Sequence, residues 1–558
     1  MPTALQRYEE WRSRPDLDGA LAAELAAIDG DAAAIEDRFY RTLAFGTGGL
    51  RGVLGAGTNR MNIYTVARAT RGLAAYLHSQ SAAPACAVAY DSRNQSDRFA
   101  RVTAAVLAGA GVQVHLYEEL MPTPMLSFAV RALSCTAGVV ITASHNPARY
   151  NGYKVYGADG CQITLDAAAA VLRCIDAEPD FAPIPDFAEM LSAGSVQYIG
   201  RDVTDAYDAA VLAQCPGPLE APLKVAYSPL NGTGNKPVRR ALAVLGVEVC
   251  VVKEQENPDG DFPTCPYPNP EIPQAMALAV QLCRDSGADF CLATDPDCDR
   301  VGAAALDERG EVRMINGNEM GVLLLDYLCK TRLAAGTMPA RPVAVKTIVT
   351  TEMAAAVAQK YGLELRNVLT GFKFIGEQIG LLEAAGQAGR FVFGFEESYG
   401  YLSGSYVRDK DGVDGAVLIC AMAAHHKARG LTLPGALAAL EAEYGCWRTA
   451  LLSFQFDGAA GMETMNRMLD GLRAGHDAFA GRAVEEMTDY LNDDTGLPRS
   501  NVLRMALAGG CTAVVRPSGT EPKLKIYLTA RARGPADAGA ALDAMARACS
   551  AWAGQPPA

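Results

Sequence analysis

A chain of 558 residues is too long for one hydrophobic core, and its length predicts about three or four domains. Hydrophobic residues make up 50% and charged residues 20%, the balance of a soluble globular enzyme rather than of a disordered or fibrous chain. The net charge of −13 excludes nucleic acid as a main partner, because a phosphate backbone needs a basic surface, but it leaves room for a small phosphorylated ligand held by a few local cations. The 15 cysteines are scattered without a CxxC pair, which argues against zinc or thioredoxin chemistry and fits a reducing compartment. The first residues lack the basic-then-apolar pattern of a signal peptide, and no apolar run approaches a membrane span. A cytoplasmic protein without a membrane partner is expected.

Residues 3 to 43 read as helices. Leu5, Tyr8 and Trp11 are spaced to share a face, Pro15 is expected to end the first helix, and Asp18–Ile28 forms another. Residues 1–44 are therefore expected to be a helical extension packed on the first domain. The segment Phe45–Gly52 is Gly-rich but has neither the GxGxxG nor the Walker spacing, so no nucleotide is indicated.

From Phe45 onward one pattern recurs: a short apolar run, a polar loop, then a helical stretch. Cys86–Tyr90 leads into Asp91-Ser92-Arg93, and Ala137–Ile141 into a turn carrying Ser144. Lys224–Tyr227 leads into Ser228–Gly234, and Phe290–Ala293 into Asp295–Arg300. Phe391–Phe393 leads into Gly394–Gly400, and Thr512–Val515 into Arg516–Lys523. Strands alternating with helices predict sheets covered by helices, with ligands at the loops beyond the carboxyl ends of the strands. The fold class is α/β: three mixed α/β domains and a smaller C-terminal α+β domain. The expected divisions are 45–205, 206–315, 316–440 and 441–558. A helix is expected over Met320–Leu333. No strong internal sequence repeat is visible, although the rhythm permits related domains.

Ser144, in Ile141–Pro147, sits on a tight turn after an apolar run. A serine is a weak nucleophile that needs activation, and backbone N–H groups at such a turn can hold a phosphate. The plain alternative is a helix cap. Asp295, Asp297 and Asp299 alternate along a short loop; without a hard cation they repel one another, and oxygen ligands favour magnesium or calcium. The plain alternative is an Asp-rich turn. Cys298, between acids, reads as a buried spectator. Arg516–Lys523 offers a forked cation, hydroxyls and a flexible glycine, the parts of a phosphate cradle, or else a surface hairpin. Glu396 and Glu397 offer acceptors for sugar hydroxyls, or else an acidic first helical turn. Arg408–Gly412 reads most simply as a solvated charged turn.

Taken together, Thr142–Pro147, the aspartate loop, Glu396–Ser398 and Arg516–Lys523 resemble, in order and spacing, the α-D-phosphohexomutases over about residues 45 to 527. Phe45–Arg51 with Asn59–Asn62, and Gly394–Gly400 with Arg408–Gly412, are most similar to the bacterial phosphoglucomutase/phosphomannomutase branch. The resemblance implies four domains around a central cleft. It implies Ser144 as the phosphoserine and, with Asp295, Asp297 and Asp299, as a ligand of one Mg2+ per subunit. Lys154 matches the proposed general base and Arg51 a cation near the moving phosphoryl group; His145, beside Ser144, is read from its position as orienting that loop or donating a hydrogen bond, with a purely structural histidine as the plain alternative. Glu396 and Ser398 match residues that hold sugar hydroxyls. Arg516, Ser518, Gly519 and Thr520 match the site for the non-reacting phosphate, and Lys410, Arg300 and Lys373 are further substrate contacts. Pro296 and Cys298 depart from the small Gly or Ala common in that loop, which bears on loop flexibility rather than on the ligands.

The implied reaction is interconversion of glucose 1-phosphate and glucose 6-phosphate through a glucose 1,6-bisphosphate, which also serves as activator. The Glu-Glu-Ser form of the sugar loop favours glucose; mannose and pentose phosphates come next, and a metal-dependent phosphohydrolase is a different class. The partners implied are sugar phosphates, with monomer and dimer both open.

Overall fold

The computed structural model describes residues 3–46, 48–307, 309–456, 458–518 and 523–557. The chain forms two compact units: Met1–Ile315 with Gly376–Gly389 and Tyr399–Gly430, and Asn316–Ile375 with Arg390–Ser398 and Leu431–Ala558.

The first unit opens with helices Ala4–Arg12, Gly19–Ala27 and Ala32–Phe39, whose starts are capped by Thr3, Asp18 and Asp31. Tyr8 and Trp11 are buried as expected, but Leu5 is 53% exposed and Ala4 takes its place on the inner face. Each residue turns the helix by about 100°, so the seam through Ala4, Tyr8 and Trp11 leaves Leu5 to one side. Trp11 packs edge-on against Phe39, Tyr64 and Phe181, which seats the extension on the following domain.

Two sheets follow. In the first, Ala85–Tyr90 lies between the parallel strands Gln113–Leu116 and Ala137–Ile141. Tyr150–Gly157 runs antiparallel beside Ala137–Ile141, and Gly49–Val53 beside it forms the edge. In the second, Lys224–Ser228 lies between Glu248–Val251 and Phe290–Thr294, with Val301–Leu306 antiparallel to the last. Ala137–Ile141 and Phe290–Thr294 are buried along their whole length, as expected of apolar strands covered on both faces.

The second unit repeats the plan. Val343–Thr347 lies between the parallel strands Glu364–Val368 and Phe391–Glu396. In all three sheets, then, the first parallel strand in chain order lies between the second and the third, so the three mixed α/β domains are topologically related although no sequence repeat announces it. The helix expected over Met320–Leu333 runs Gly317–Ala334; it starts earlier because Asn316 and Glu319 form a capping box. The rest of the unit is an antiparallel sheet in the order Cys446–Gln455, Lys523–Ala532, Cys511–Pro517, Leu503–Leu507, Arg482–Asp489 and Ala478–Phe479. Helices Gly458–Arg473 and Pro535–Ala553 bury Met465, Leu469, Met545 and Cys549 against it. The expected divisions at 205/206 and 440/441 fall within helices Arg201–Leu212 and Leu433–Tyr444.

Among the described residues no helix is long and apolar enough to cross a membrane. One close approach sets the strand that ends in Glu396. Helix Gly317–Ala334 passes Phe395 at Gly321, where an added Cβ would meet the Phe395 ring at 2.0 Å. Gly321→Ala is expected to destabilise the second unit by about 1–3 kcal/mol despite alanine's better helix propensity, read as a lower midpoint in thermal unfolding; an unchanged midpoint would show that the helix shifts freely.

Candidate active site

The three acidic or nucleophilic motifs occupy one position of a repeated plan. Ser144 follows the third parallel strand of the first sheet, Asp295 that of the second, and Glu397 that of the third. The first two meet within the first unit.

Ser144 stands in the left-handed region with φ 53°, as does Cys298 with φ 51° in the aspartate loop. Non-glycine residues reach this conformation at a cost, and it is held here by specific bonds. Thr142 Oγ1 accepts the Ser144 N–H at 2.8 Å. The buried guanidinium of Arg93 donates to four carbonyls of the same loop, those of Ser144, Asn146, Pro147 and Tyr150. Asp91 backs this guanidinium at 3.4 Å. The result aims the Ser144 hydroxyl at Asp295 Oδ2, 2.9 Å away.

Asp295, Asp297 and Asp299 are all at most 2% exposed, and each offers an oxygen within 4.8 Å of the others. The loop backbone is pinned: Thr233 N–H donates to Pro296 O at 2.8 Å, Thr123 N–H to Asp297 O at 2.9 Å, and Gly412 N–H to Cys298 O at 3.0 Å. The Pro296 and Cys298 departures thus sit in a fixed loop rather than a loose one. Cys298 is buried, and burial with nearby acids pushes its thiol well up, which makes it the spectator expected.

Cations surround the acids. Lys154 Nζ is 2.9 Å from Asp297 Oδ2 and 3.8 Å from Asp299 Oδ2. Lys410 Nζ is 3.1 Å from Asp299 Oδ2, and Arg300 Nε is 3.8 Å from Asp299 Oδ1. Burial and the neighbouring carboxylates push Asp295 well above the ordinary carboxylate range and raise Asp299. Burial acts the same way on Asp297, but Lys154, a hydrogen bond with Asp295 and the charge of Lys410 together hold that carboxyl well down. Asp297 Oδ1 and Asp299 Oδ1 are buried and accept no hydrogen bond among the described residues. Clustered hard oxygens with unspent lone pairs fit a divalent cation, whose charge would offset the repulsion. This group could bind a metal.

His145 Nδ1 lies 3.1 Å from Ser144 Oγ. Burial, then the positive charges of Arg300 and Arg51, hold the imidazole well below its ordinary value, so it is neutral near pH 7. Arg51 is exposed and donates to Asn146 Oδ1 at 3.3 Å.

The charged run Arg408–Gly412 is not a solvated turn. Arg408, Asp409 and Asp411 are buried. Arg408 pairs with Glu383 at 2.6 Å, Asp409 accepts from Tyr156 Oη at 2.6 Å, and Asp411 accepts from Tyr207 and Tyr406. The reason is tertiary: Glu383, Tyr156 and Tyr207 lie far away in sequence, and together these bonds fix Lys410 over Asp299.

Glu396, Glu397, Ser398, Lys373, Arg516 and Ser518 belong to the second unit. Glu396 is the buried last residue of its strand, and a turn rather than a helix follows it. Thr347 Oγ1 donates to Glu397 Oε2 at 3.3 Å. Lys373 lies at the start of helix Phe372–Ala384, its Nζ 5.3 Å from the Phe374 ring. Arg516 is opposite Lys525 in an antiparallel hairpin, and Ser518 N–H donates to Lys523 O at 2.7 Å. The strand-to-helix rhythm expected at this loop therefore fails: strands Cys511–Pro517 and Lys523–Ala532 are antiparallel neighbours, which need no helix between them. Arg516 Nε is buried without a hydrogen-bond partner among the described residues. Gly519 and Thr520 lie outside the described residues.

Sequence reasoning passed over Asp91 and Arg93, Thr123, Tyr156 and Glu271, which pairs with Arg300. The first two had a signal, because Asp91 follows a buried strand just as Ser144 and Asp295 do. Tyr156 stands two residues beyond Lys154 on the same strand and so shares its face.

Models of the phosphoglucomutase/phosphomannomutase family match α/β/α domain I at residues 42–181, domain II at 210–310 and domain III at 316–441. A phosphoglucomutase of Staphylococcus aureus (strain MSSA476) is 36% identical over 526 residues, 92% of this chain and 94% of the relative. A phosphoglucomutase of Staphylococcus haemolyticus (strain JCSC1435) is 37% identical over 509 residues, 88% of this chain and 91% of the relative. The crystal structure of a putative phosphomannomutase from Thermus thermophilus superposes with a TM-score of 0.69 at 23% identity, covering 92% of this chain and 99% of that one. A serine turn meeting three buried aspartates, on related α/β sheets matched in sequence domain by domain, places the chain in the α-D-phosphohexomutase superfamily, where it belongs to the bacterial phosphoglucomutase/phosphomannomutase branch.

Proposed function

We propose that the protein is a phosphoglucomutase, an isomerase that interconverts glucose 1-phosphate and glucose 6-phosphate through a phosphoserine at Ser144. The observation that carries this reading is the Ser144 hydroxyl held 2.9 Å from a buried aspartate of a three-carboxylate cluster. The names of the staphylococcal relatives support it. The serine unit spans residues 45–205 after the extension 1–44, the metal unit 206–315, the sugar unit 316–440 and the phosphate unit 441–558.

In this mechanism a sugar hydroxyl attacks the phosphorus carried on Ser144 Oγ. The new O–P bond forms as the P–Oγ bond breaks, the hydroxyl proton passes to Lys154, which acts in its free-amine form, and a glucose 1,6-bisphosphate results. After the sugar turns over, its other phosphoryl group returns to Ser144 Oγ, and the proton returns to the oxygen it leaves. Ser144, Asp295, Asp297 and Asp299 would hold one Mg2+ per subunit, which supplies electrostatic stabilisation of the phosphoryl oxygens. Arg51, Arg300 and Lys410 add positive charge, and neutral His145 orients the serine oxygen. Glu396 and Ser398 hold sugar hydroxyls, Arg516, Ser518, Gly519 and Thr520 hold the phosphate that does not react, and Lys373 is a further substrate contact. Glucose 1,6-bisphosphate serves as activator by restoring the phosphoserine. The enzyme works in the cytoplasm on sugar phosphates, without nucleic acid or membrane, as a monomer or dimer.

Ser144→Ala is expected to abolish labelling of the protein by radioactive glucose 1,6-bisphosphate and to lower mutase turnover by more than about a thousandfold. Labelling or turnover that survives would sink the phosphoserine. Chelation with EDTA should remove activity, and added Mg2+ should restore it better than Ca2+, whose larger coordination shell fits a tight site less well; activity indifferent to EDTA would remove the metal from the mechanism. Comparing kcat/KM for glucose 1-phosphate, mannose 1-phosphate and ribose 1-phosphate should rank glucose first. Another order would reassign the substrate, and rapid release of inorganic phosphate would favour a phosphohydrolase.

A further inference from the structure

The N-terminal extension reaches the site through one strand. Gly49–Val53 is the edge of its sheet, with Tyr150–Gly157 as its neighbour. It carries Arg51, which bonds Asn146 of the serine turn. An edge strand has one ladder of backbone bonds and is easily displaced unless something covers it. Leu43 of the extension lies against Gly52, where an added Cβ would meet Leu43 Cδ1 at 2.8 Å.

Beyond the strand, residues 54–62 are bonded to the extension repeatedly. Leu43 N–H donates to Thr58 O at 2.8 Å, and Asn59 N–H donates to Arg38 O at 2.9 Å. Thr58 Oγ1 donates to Arg41 O at 2.7 Å, and Asn59 Nδ2 to Asp37 O at 3.0 Å. At the centre stands one ion pair. Glu24 Oε2 accepts Arg38 Nη1 at 2.8 Å and the Ala56 N–H at 3.0 Å, while Arg38 Nη1 also donates to Ala56 O at 3.1 Å. The pair thus holds both backbone groups of Ala56.

The loop is shaped around that pair. Gly55 and Gly57 take φ of +136° and +127°, and a Cβ there would meet Glu24 Oε2 at 2.7 Å and Arg38 O at 2.7 Å. Glycine is needed at both places for conformation and for space. Met61 N–H donates to Val53 O at 2.8 Å, so the held loop passes its position directly to the end of the Arg51 strand.

We propose that Glu24 and Arg38 are positioning residues for Arg51, so that the extension is a brace for the active site rather than a passive cap. This rests on the reading of Arg51 as a cation beside the moving phosphoryl group. A guanidinium displaced by a fraction of an ångström stabilises that charge less well while ground-state substrate binding changes little.

The test is Glu24→Ala in the full chain, alone and with Arg51→Ala. Deleting the extension would instead expose the cluster around Trp11 and confound the result. With glucose 1-phosphate, Glu24→Ala should lower kcat about tenfold and leave KM within about twofold. Glu24→Gln, which keeps an acceptor for the Ala56 N–H, should recover part of the loss. In the Arg51→Ala background Glu24→Ala should cost nothing further, as expected of two residues acting as one. Hydrogen exchange should be at least about tenfold faster at residues 49–62 in Glu24→Ala and unchanged in strand Lys224–Ser228. Independent kinetic losses, unchanged exchange at 49–62, or faster exchange throughout would each overturn the proposal. A wild-type protein inactive on every sugar phosphate would defeat the mutase reading instead, and the exchange measurement, which needs no substrate, would still decide whether Glu24 holds the strand.

Discussion

Three carboxylates buried within 4.8 Å of one another are the constraint around which the first unit is arranged. Water cannot screen them, so charge must be brought in by protein or by a bound cation. Lys154 comes from the first sheet, Lys410 from the segment between strand Gly400–Leu402 and helix Gly412–Lys427, and Arg300 from the aspartate loop itself. Each cation needs its own scaffold. Lys410 is fixed by Tyr156 and Tyr207 acting on the flanking aspartates, and Arg300 is drawn toward Glu271. Removing the cluster would leave these buried networks without a purpose.

The serine turn answers the same constraint from the other side. Its strained φ brings a hydroxyl, rather than another charge, to Asp295. The strain is sustained because one buried guanidinium, Arg93, draws four carbonyls of the turn around itself. A rigid turn facing a rigid aspartate loop is what phosphoryl transfer asks of a protein, since positioning and electrostatics supply most of the catalysis. The N-terminal brace extends this rigidity outward to Arg51.

The repeated sheet plan explains why the motifs lie where they do. Ser144, Asp295 and Glu397 each follow a third parallel strand, so three polar motifs share one structural position. The C-terminal sheet breaks the pattern. There the strand that carries Arg516 pairs antiparallel with Lys523–Ala532, the next strand in the chain, with no helix between them.

The buried strands and their polar ends were legible in the sequence: Ala137–Ile141 was readable to the residue, and the serine and aspartate loops with it, because continuous apolar runs that stop at polar turns are a local signal. The sequence also carried the family, through four motifs in order. The tertiary structure alone decided which charges are buried and what they face. Arg408–Gly412 looks solvated by composition yet is buried, because Glu383, Tyr156 and Tyr207 meet it from remote parts of the chain. Leu5 looks buried by spacing yet is exposed, because the helix seam was set by Tyr8 and Trp11 against Phe39. The Glu24–Arg38 pair and the carbonyls that Arg93 gathers were invisible for the same reason, although Asp91-Ser92-Arg93 stood out as a strand end: burial and pairing are properties of contacts between distant segments, and no local pattern encodes them.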